Sequence, residues 1–151
     1  MDPQAQQASR GGLGTQLTVA QQIGLIVGVA ILALAKRIEL TGEARHLALI
    51  RPLAEGLLRM QDAATSAFVH VLEFPSLAVK EVHRTVYYDG EAAFGLLKAY
   101  ELTGERRYLE AVERAVEYFI QAQHWRSHDH WLAYAVNELT RLAPQERYFR
   151  L

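Results

Sequence analysis

The sequence contains no cysteine, and it has only four prolines, two methionines and two tryptophans among its 151 residues. The absence of cysteine excludes disulfides, thiolate metal sites and a cysteine nucleophile, but it leaves the cellular compartment open. An excess of one charge is also missing, because 16 Lys and Arg stand against 17 Asp and Glu. This balance argues against a nucleic-acid surface and against a polybasic membrane anchor, so neither partner is expected.

Long hydrophobic runs are absent as well. The most apolar stretch, residues 23–35, has 13 residues, whereas a membrane-spanning helix needs roughly 20. A signal peptide is an alternative, since Ala33-Leu34-Ala35 offers small residues for cleavage, but the only basic residue upstream, Arg10, lies far from the run. We interpret the run as a core helix and expect a cytoplasmic protein, with export left open. Residues 1–15 are polar and Gly-rich, which predicts a disordered leader or vector remnant.

The common catalytic motifs are missing too. There is no Gly-rich phosphate loop, no Rossmann fingerprint and no Ser–His nucleophile motif. Three of the six histidines lie within residues 124–130, but the zinc-binding spacing His-Glu-x-x-His does not occur. We therefore expect neither a bound metal ion nor a cofactor.

What the sequence does contain is an internal repeat. The pentapeptide Glu-Leu-Thr-Gly-Glu occurs at residues 39–43 and 101–105, an offset of 62 residues, and at this offset twelve of the 33 positions in 30–62 are identical to those in 92–124. Such self-similarity indicates a repeat architecture. The sequence of each copy predicts a helix, a Thr-Gly turn and a second helix. Gly42 and Gly104 are expected in the left-handed conformation that ends a helix. We expect one helical-hairpin domain over residues 16–151, with repeats 16–62 and 90–124 and a partial third copy at 129–151.

Two kinds of helix alternate along the chain. The first, third and fifth predicted helices, about 17–40, 91–102 and 129–142, are rich in apolar residues on all sides, which is typical of buried helices. The fourth has one apolar stripe and a charged opposite face. The pattern predicts an all-α fold with inner helices wrapped by outer ones. Two runs rich in β-formers, residues 67–74 and 82–88, predict a small β-hairpin between the repeats.

The turn motifs resemble those of the α/α-toroid enzymes, in which helical hairpins close a ring. The resemblance rests on residues 87–92, 100–109, 129–132 and 137–139, and it covers roughly residues 18–151. It is a resemblance to the superfamily of six-hairpin glycosidases and sugar epimerases. It implies part of an α/α-toroid that acts on a carbohydrate as a hydrolase, epimerase or lyase. A closed toroid needs about twelve helices and this chain supplies about five, so open ends and self-association or a partner chain are expected.

The long connections all precede inner helices, so the candidate site lies at that end of the molecule. Glu91, Asp129 and Glu138 are the candidate catalytic carboxylates, since paired carboxylates suit glycosidic chemistry. The candidate substrate-binding residues, which would line the same mouth, are Arg84, Tyr88, Asp89, His128, His130 and Trp131. For each residue a structural role is the alternative: helix capping for Asp89 and Asp129, interaction with the helix dipole for Glu91, solvent exposure for Glu138, and packing or ion pairing for the others.

Two functions therefore stay open. The first is an enzyme-type toroid acting on a carbohydrate ligand, which predicts a pocket where the candidate residues meet. The second is a non-catalytic helical-repeat module that binds a partner protein, forms a homo-oligomer or completes a larger assembly. It predicts caps and salt bridges at the same positions, together with a wide apolar face on an open side.

Overall fold

A computed structural model describes residues 19–73, 76, 78–81 and 84–151 of the chain. The predicted leader, residues 1–15, lies outside this part. The described part contains five helices and two strands: α1 Val19–Thr41, α2 Leu47–Arg59, β1 Val71–Glu73, β2 Ala78–Glu81, α3 Tyr88–Thr103, α4 Arg106–Gln121 and α5 His130–Leu142. Three short 3-10 helices complete it: Ala44–His46, His124–Ser127 and Glu146–Arg150. The predicted all-α fold with a small β-hairpin is confirmed.

The two copies of the Thr-Gly turn share the same hydrogen bonds. Gly42 and Gly104 have φ values of 70° and 71°, and their amides donate to carbonyls four residues earlier at 2.8 Å. The hydroxyls of Thr41 and Thr103 accept from the amides of the following glutamates at 3.2 and 3.3 Å. Only glycine adopts this backbone conformation without steric cost, so the predicted helix ends are confirmed.

The inner layer is the row α1–α3–α5, in which α3 packs against both of the other helices. Glycines bring these helices close together at equivalent positions of the repeat, because Gly28 and Gly90 are separated by its offset of 62 residues. A Cβ atom on Gly28 would lie 2.8 Å from the carbonyl oxygen of Glu91, and one on Gly90 would lie 2.6 Å from the carbonyl carbon of Trp131. Because backbone meets backbone at both interfaces, the start of α3 is held firmly between its two neighbours.

The outer helices α2 and α4 cover one side of this layer. Helix α2 packs on α1 and α3, and α4 packs on α3 and α5. The stripe of α4 predicted to be apolar is fully buried at Val112, Val116 and Phe119. This arrangement leaves the opposite side of the inner layer without a covering helix among the described residues, and we call it the free face.

The prediction that every inner helix is buried on all sides is wrong for α1 and α5 and holds only in part for α3, whose Phe94 and Lys98 are half-buried and whose Glu101 is exposed. Helix α3 has ten buried residues. Val29 of α1 is 41% exposed and Tyr134 of α5 is 54% exposed. The reason is position in the row: α1 and α5 are its outermost members, so each has only one inner neighbour among the described elements.

The β-hairpin is antiparallel, with Leu72 opposite Val79 and Glu73 opposite Ala78. Its first strand falls inside the predicted run 67–74. Its second strand, Ala78–Glu81, precedes the predicted run 82–88, of which residues 84–87 are irregular and Tyr88 starts α3. Strand β1 contacts α1, so the hairpin lies beside the inner layer near its candidate site. No described helix combines the length and the apolarity that are needed to span a membrane.

Candidate functional site

Asp89, in the first turn of α3, is the centre of a buried polar cluster. Its carboxylate is 2% exposed and accepts hydrogen bonds from His70 Nε2 and Arg84 Nε, each at 2.9 Å. His124 Nδ1 lies 3.4 Å from Asp89 Oδ2 without hydrogen-bonding geometry. Asp89 was considered as the cap of the third helix, but the helix begins one residue earlier. The carboxylate instead fixes the loops that surround the helix start.

The hydrogen bonds of His70 show which of its ring nitrogens carries the proton. The amide of Thr85 donates to His70 Nδ1 at 2.7 Å, so Nδ1 is the acceptor nitrogen of a neutral ring. Nε2 then carries the proton that is donated to Asp89. Both ring nitrogens make hydrogen bonds, so His70 connects the β-hairpin region to α3.

Glu91 and Asp129 form a second polar group at the same end of the molecule. They are 6% and 5% exposed. Burial, reinforced by the negative charge of Asp129, raises the pKa of Glu91 to about 7. Burial also raises the pKa of Asp129. Asp129 caps α5 by accepting from the amide of Trp131 at 2.9 Å, so the predicted capping role is confirmed, while its other oxygen has no hydrogen bond.

Three buried side-chain atoms of the described residues lack a hydrogen-bond partner, and they surround the first turn of α3. They are Glu91 Oε2, Asp129 Oδ2 and His124 Nδ1. A buried polar group without a partner costs on the order of 1–3 kcal/mol. Such groups are rare in stable folds, and their concentration around one helical turn marks this turn as a candidate functional site.

An aromatic group lies on the free face beside these carboxylates. By helical spacing Glu91, Phe94 and Lys98 share one face of α3, as Trp131 and Tyr134 do on α5. Phe94 contacts Trp131 and Tyr134 at centroid separations of 6.5 and 6.2 Å. Two further rings extend the group, since His130 lies 5.3 Å from Trp131 and 5.2 Å from Tyr87. We call these five rings, Tyr87, Phe94, His130, Trp131 and Tyr134, the aromatic row.

Two residues of this region have a left-handed backbone although they carry bulky side chains. Tyr87, just before α3, has φ 82°, and His128, just before the cap of α5, has φ 51°. For non-glycine residues this conformation costs on the order of 1–3 kcal/mol, and it is found preferentially at functional sites. Both inner helices therefore begin at a strained residue beside the candidate site.

Glu138 lies two helical turns from this site, in an ion-pair cluster. Its carboxylate accepts from Lys98 at 2.5 Å and from Arg141 at 2.6 Å, and Glu101 pairs with the same two cations. Burial alone would raise the pKa of Glu138, but these hydrogen bonds outweigh it and lower the pKa to about 2. An ionised, doubly paired Glu138 stabilises the contact between α3 and α5, and its catalytic role stays a prediction.

The structure thus brings most of the predicted residues to one end of the inner layer. Arg84 and Asp89 meet in the first cluster, and Glu91 and Asp129 meet in the second. Tyr88 is buried against the ring of His70 at 4.3 Å, which is a packing role, and His128 is exposed. Five contributors are not among the candidates from the sequence: His70, Tyr87, Phe94, His124 and Tyr134. Helical spacing from Glu91 and Trp131 could have found Phe94 and Tyr134.

Within the described residues, no three side chains of His, Asp or Glu are arranged to hold a metal ion. The arginine beside Asp89 explains this for the first cluster, because its guanidinium occupies the carboxylate that a cation would need. No family model, curated protein or solved structure matches the chain. Interpretation of the site therefore depends on its own geometry.

Proposed function

We propose that this chain binds a carbohydrate on the free face of its inner layer and that Glu91 acts there in acid–base catalysis, in the manner of the α/α-toroid enzymes. The observation that carries the proposal is the buried Glu91, whose pKa is raised to about 7 beside a second carboxylate. A carboxylic acid of this pKa is protonated in about half of the molecules at pH 7, so it can donate a proton to a leaving oxygen.

Asp129 supplies the second carboxylate of the pair. Its Oδ2 is buried and has no hydrogen-bond partner, while Oδ1 is held by the amide of Trp131, so one oxygen is oriented and the other is unpaired. Glycosidases commonly divide acid and base or nucleophile roles between two such groups. The negative charge of Asp129 also helps to retain the proton on Glu91, which separates the roles of the two groups.

The aromatic row supports the carbohydrate as the ligand class. Tyr87 and Tyr134 are 44% and 54% exposed, and the ring of Trp131 is half-buried between them and Phe94. Aromatic faces combine an apolar surface with polar edges, which suits the C–H faces and hydroxyls of a sugar ring. The row adjoins Glu91 along the same face of α3, so a sugar stacked on it would lie next to the carboxylate pair.

Binding and turnover of a panel of neutral and acidic oligosaccharides would test this proposal. Glu91→Gln and Asp129→Asn should abolish turnover and retain binding, because they remove the transferable proton and the charge but keep the shape of the side chains. Trp131→Ala should weaken binding. Glu110→Gln, on the exposed face of α4, and Phe149→Ala, which removes an exposed ring that is 77% accessible, are the matched controls. A panel without binding and turnover would refute the proposal.

A second candidate, an interaction module, is favoured by the exposed apolar residues. Besides Phe149, the most exposed large apolar side chains are Leu40 at 73%, Val79 and Tyr134 at 54% and Leu49 at 53%. A groove of about 580 Å³ runs along α5 and is lined by Val136, Phe149 and Leu151, among others. Exposed apolar surface of this kind is typical of association sites. Measurement of the solution mass tests it: a dimer or larger species that Phe149→Asp dissociates supports the module, and a stable monomer at high concentration counts against self-association.

A further inference from the structure

A separate cavity lies on the other side of the first turn of α3. Because a helix turns by about 100° per residue, Asp89 and Glu91 point to opposite sides of it. The cavity that adjoins Asp89 has a volume of about 370 Å³, which is within the range of small-molecule sites. Its lining includes Asp62, Phe68, Val79, Arg84, Asp89 and Tyr118.

The walls of this cavity are mostly apolar and well supported. Phe68 is 6% exposed and is packed edge-on against Tyr88 at 6.3 Å and tilted against Phe119 at 6.4 Å. Val79 of the β-hairpin is 54% exposed, and it lines the same cavity. A wall that combines a fixed phenyl ring with an accessible valine suits a ligand with an apolar body.

One end of the cavity carries a fixed guanidinium. Arg84 donates from Nε to Asp89 at 2.9 Å and from Nη1 to Ser127 Oγ at 3.0 Å, so the plane of the group is set. Its Nη2 makes no hydrogen bond with any described residue. His70 cannot serve a ligand, since both of its nitrogens are occupied. The donors that remain are Arg84 Nη2 and the Tyr118 hydroxyl, which likewise has no partner among the described residues.

The charge of this end favours an acceptor ligand. At this end Arg84 and Asp89 neutralise each other, and His70 is a neutral ring. The second carboxylate of the lining, Asp62, belongs to a turn in which it accepts from the amides of Ala64 and Thr65 at 3.0 and 2.7 Å. Arg84 Nη2 and the Tyr118 hydroxyl are the groups that can donate to a ligand at the Arg84 end, which suits a ligand that accepts hydrogen bonds. Arginine matches the geometry of a carboxylate particularly well. We propose that this cavity binds a small carboxylic acid with an aryl or branched-alkyl body, with its carboxylate on Arg84 and its body against Phe68 and Val79.

The site shares no donor with the carbohydrate site on the free face, so each proposal can fail without the other. The test is a titration of the full chain followed by amide NMR shifts, with the amides of Ala67, Val69 and Thr85 as reporters. The probes are benzoate, benzyl alcohol as its neutral counterpart, and acetate as a carboxylate without the apolar body. Benzoate should saturate these shifts in the millimolar range. Benzyl alcohol and acetate should each bind at least about tenfold more weakly, because the first lacks the carboxylate and the second lacks the apolar body.

Two variants separate the contributions of the polar end and the wall. Arg84→Gln should weaken benzoate about tenfold and leave benzyl alcohol unchanged, whereas Arg106→Gln, an exposed arginine of α4, should change neither. If Arg84→Gln does not fold, Ala67→Phe, which fills the cavity and keeps Arg84, should abolish the benzoate shifts. Equal binding of benzoate and benzyl alcohol, shifts that do not saturate, or full binding to Ala67→Phe would overturn the proposal.

Discussion

Replacement of Glu91 by glutamine tests the physical state of the candidate site without knowledge of any substrate. Glu91 has a folded-state pKa of about 7 against an ordinary value of 4.5. The folded protein therefore binds more protons than the unfolded chain between about pH 4.5 and pH 7, and the free energy of unfolding falls as the pH rises through this window. Glutamine keeps the shape of the side chain and does not titrate.

The size of this effect on the free energy of unfolding follows from the shift in the pKa of Glu91. A difference of about 2.5 pKa units at about 1.4 kcal/mol per unit corresponds to about 3 kcal/mol. Because Glu91 is only 6% exposed, little of this is screened by solvent. The unfolding free energy of Glu91→Gln minus that of the unsubstituted chain should rise by about 3 kcal/mol from pH 4 to pH 8.

Urea unfolding followed by circular dichroism at a series of pH values measures this difference. A new, imperfectly bonded amide in Glu91→Gln would shift the difference at all pH values alike, so only its pH dependence reports on the proton. Glu110→Gln, at an exposed glutamate whose nearest cation contact is 3.6 Å, should change the unfolding free energy by less than about 0.5 kcal/mol throughout. A difference curve for Glu91→Gln without slope would refute the reasoning that Glu91 is held protonated.

Four further substitutions test the backbone, each by urea unfolding. Gly90→Ala should lower the free energy of unfolding by about 3 kcal/mol or more, since its Cβ would meet the backbone of α5 next to Leu132. Gly56→Ala, at a helix position with nothing within 4 Å, should instead raise it by about 0.5–1 kcal/mol. A Gly56→Ala variant that is less stable than Gly90→Ala would contradict the close approach at Gly90. Tyr87→Gly should stabilise by about 1 kcal/mol, because glycine relieves the left-handed backbone; a loss of stability would indicate that its ring contacts outweigh the strain. Gly104→Ala should lower the free energy of unfolding by about 1 kcal/mol, because alanine is strained at the φ of 71° of this position. An unchanged urea concentration at the unfolding midpoint would contradict this.

The helical repeat could be predicted because its signals are local. Thr-Gly turns and stripes of apolar residues depend on neighbours within a few positions, and both copies of the turn occur where the sequence indicates them. The meeting of Glu91 and Asp129 followed from the same logic, since inner helices that run in parallel all start at one end. The aromatic face of α5 was missed in part, because Tyr134 was assigned to a helix that was expected to be buried on all sides.

The remaining features depend on contacts between distant parts of the chain. His70 lies 19 residues before Asp89, in a run that predicts only a strand, and nothing in its neighbours indicates a carboxylate partner. The second strand was placed too late because β-propensity alone cannot decide which of several β-branched residues pair. The pairing of Glu138 with Lys98 joins two helices across 40 residues of sequence, which is why the sequence favoured solvent exposure for Glu138 over a buried position.

The paired glycines of the inner layer have a consequence for growth of the array. In the third copy Leu142 replaces Leu102, an offset of 40 residues, so the residue equivalent to Gly90 is His130. Helix α5 thus carries a side chain at the position where α1 and α3 carry a glycine. A further helix on that flank could not approach the backbone of α5 as closely as the inner helices approach each other. Packing there would depend on side chains rather than on contact between backbones.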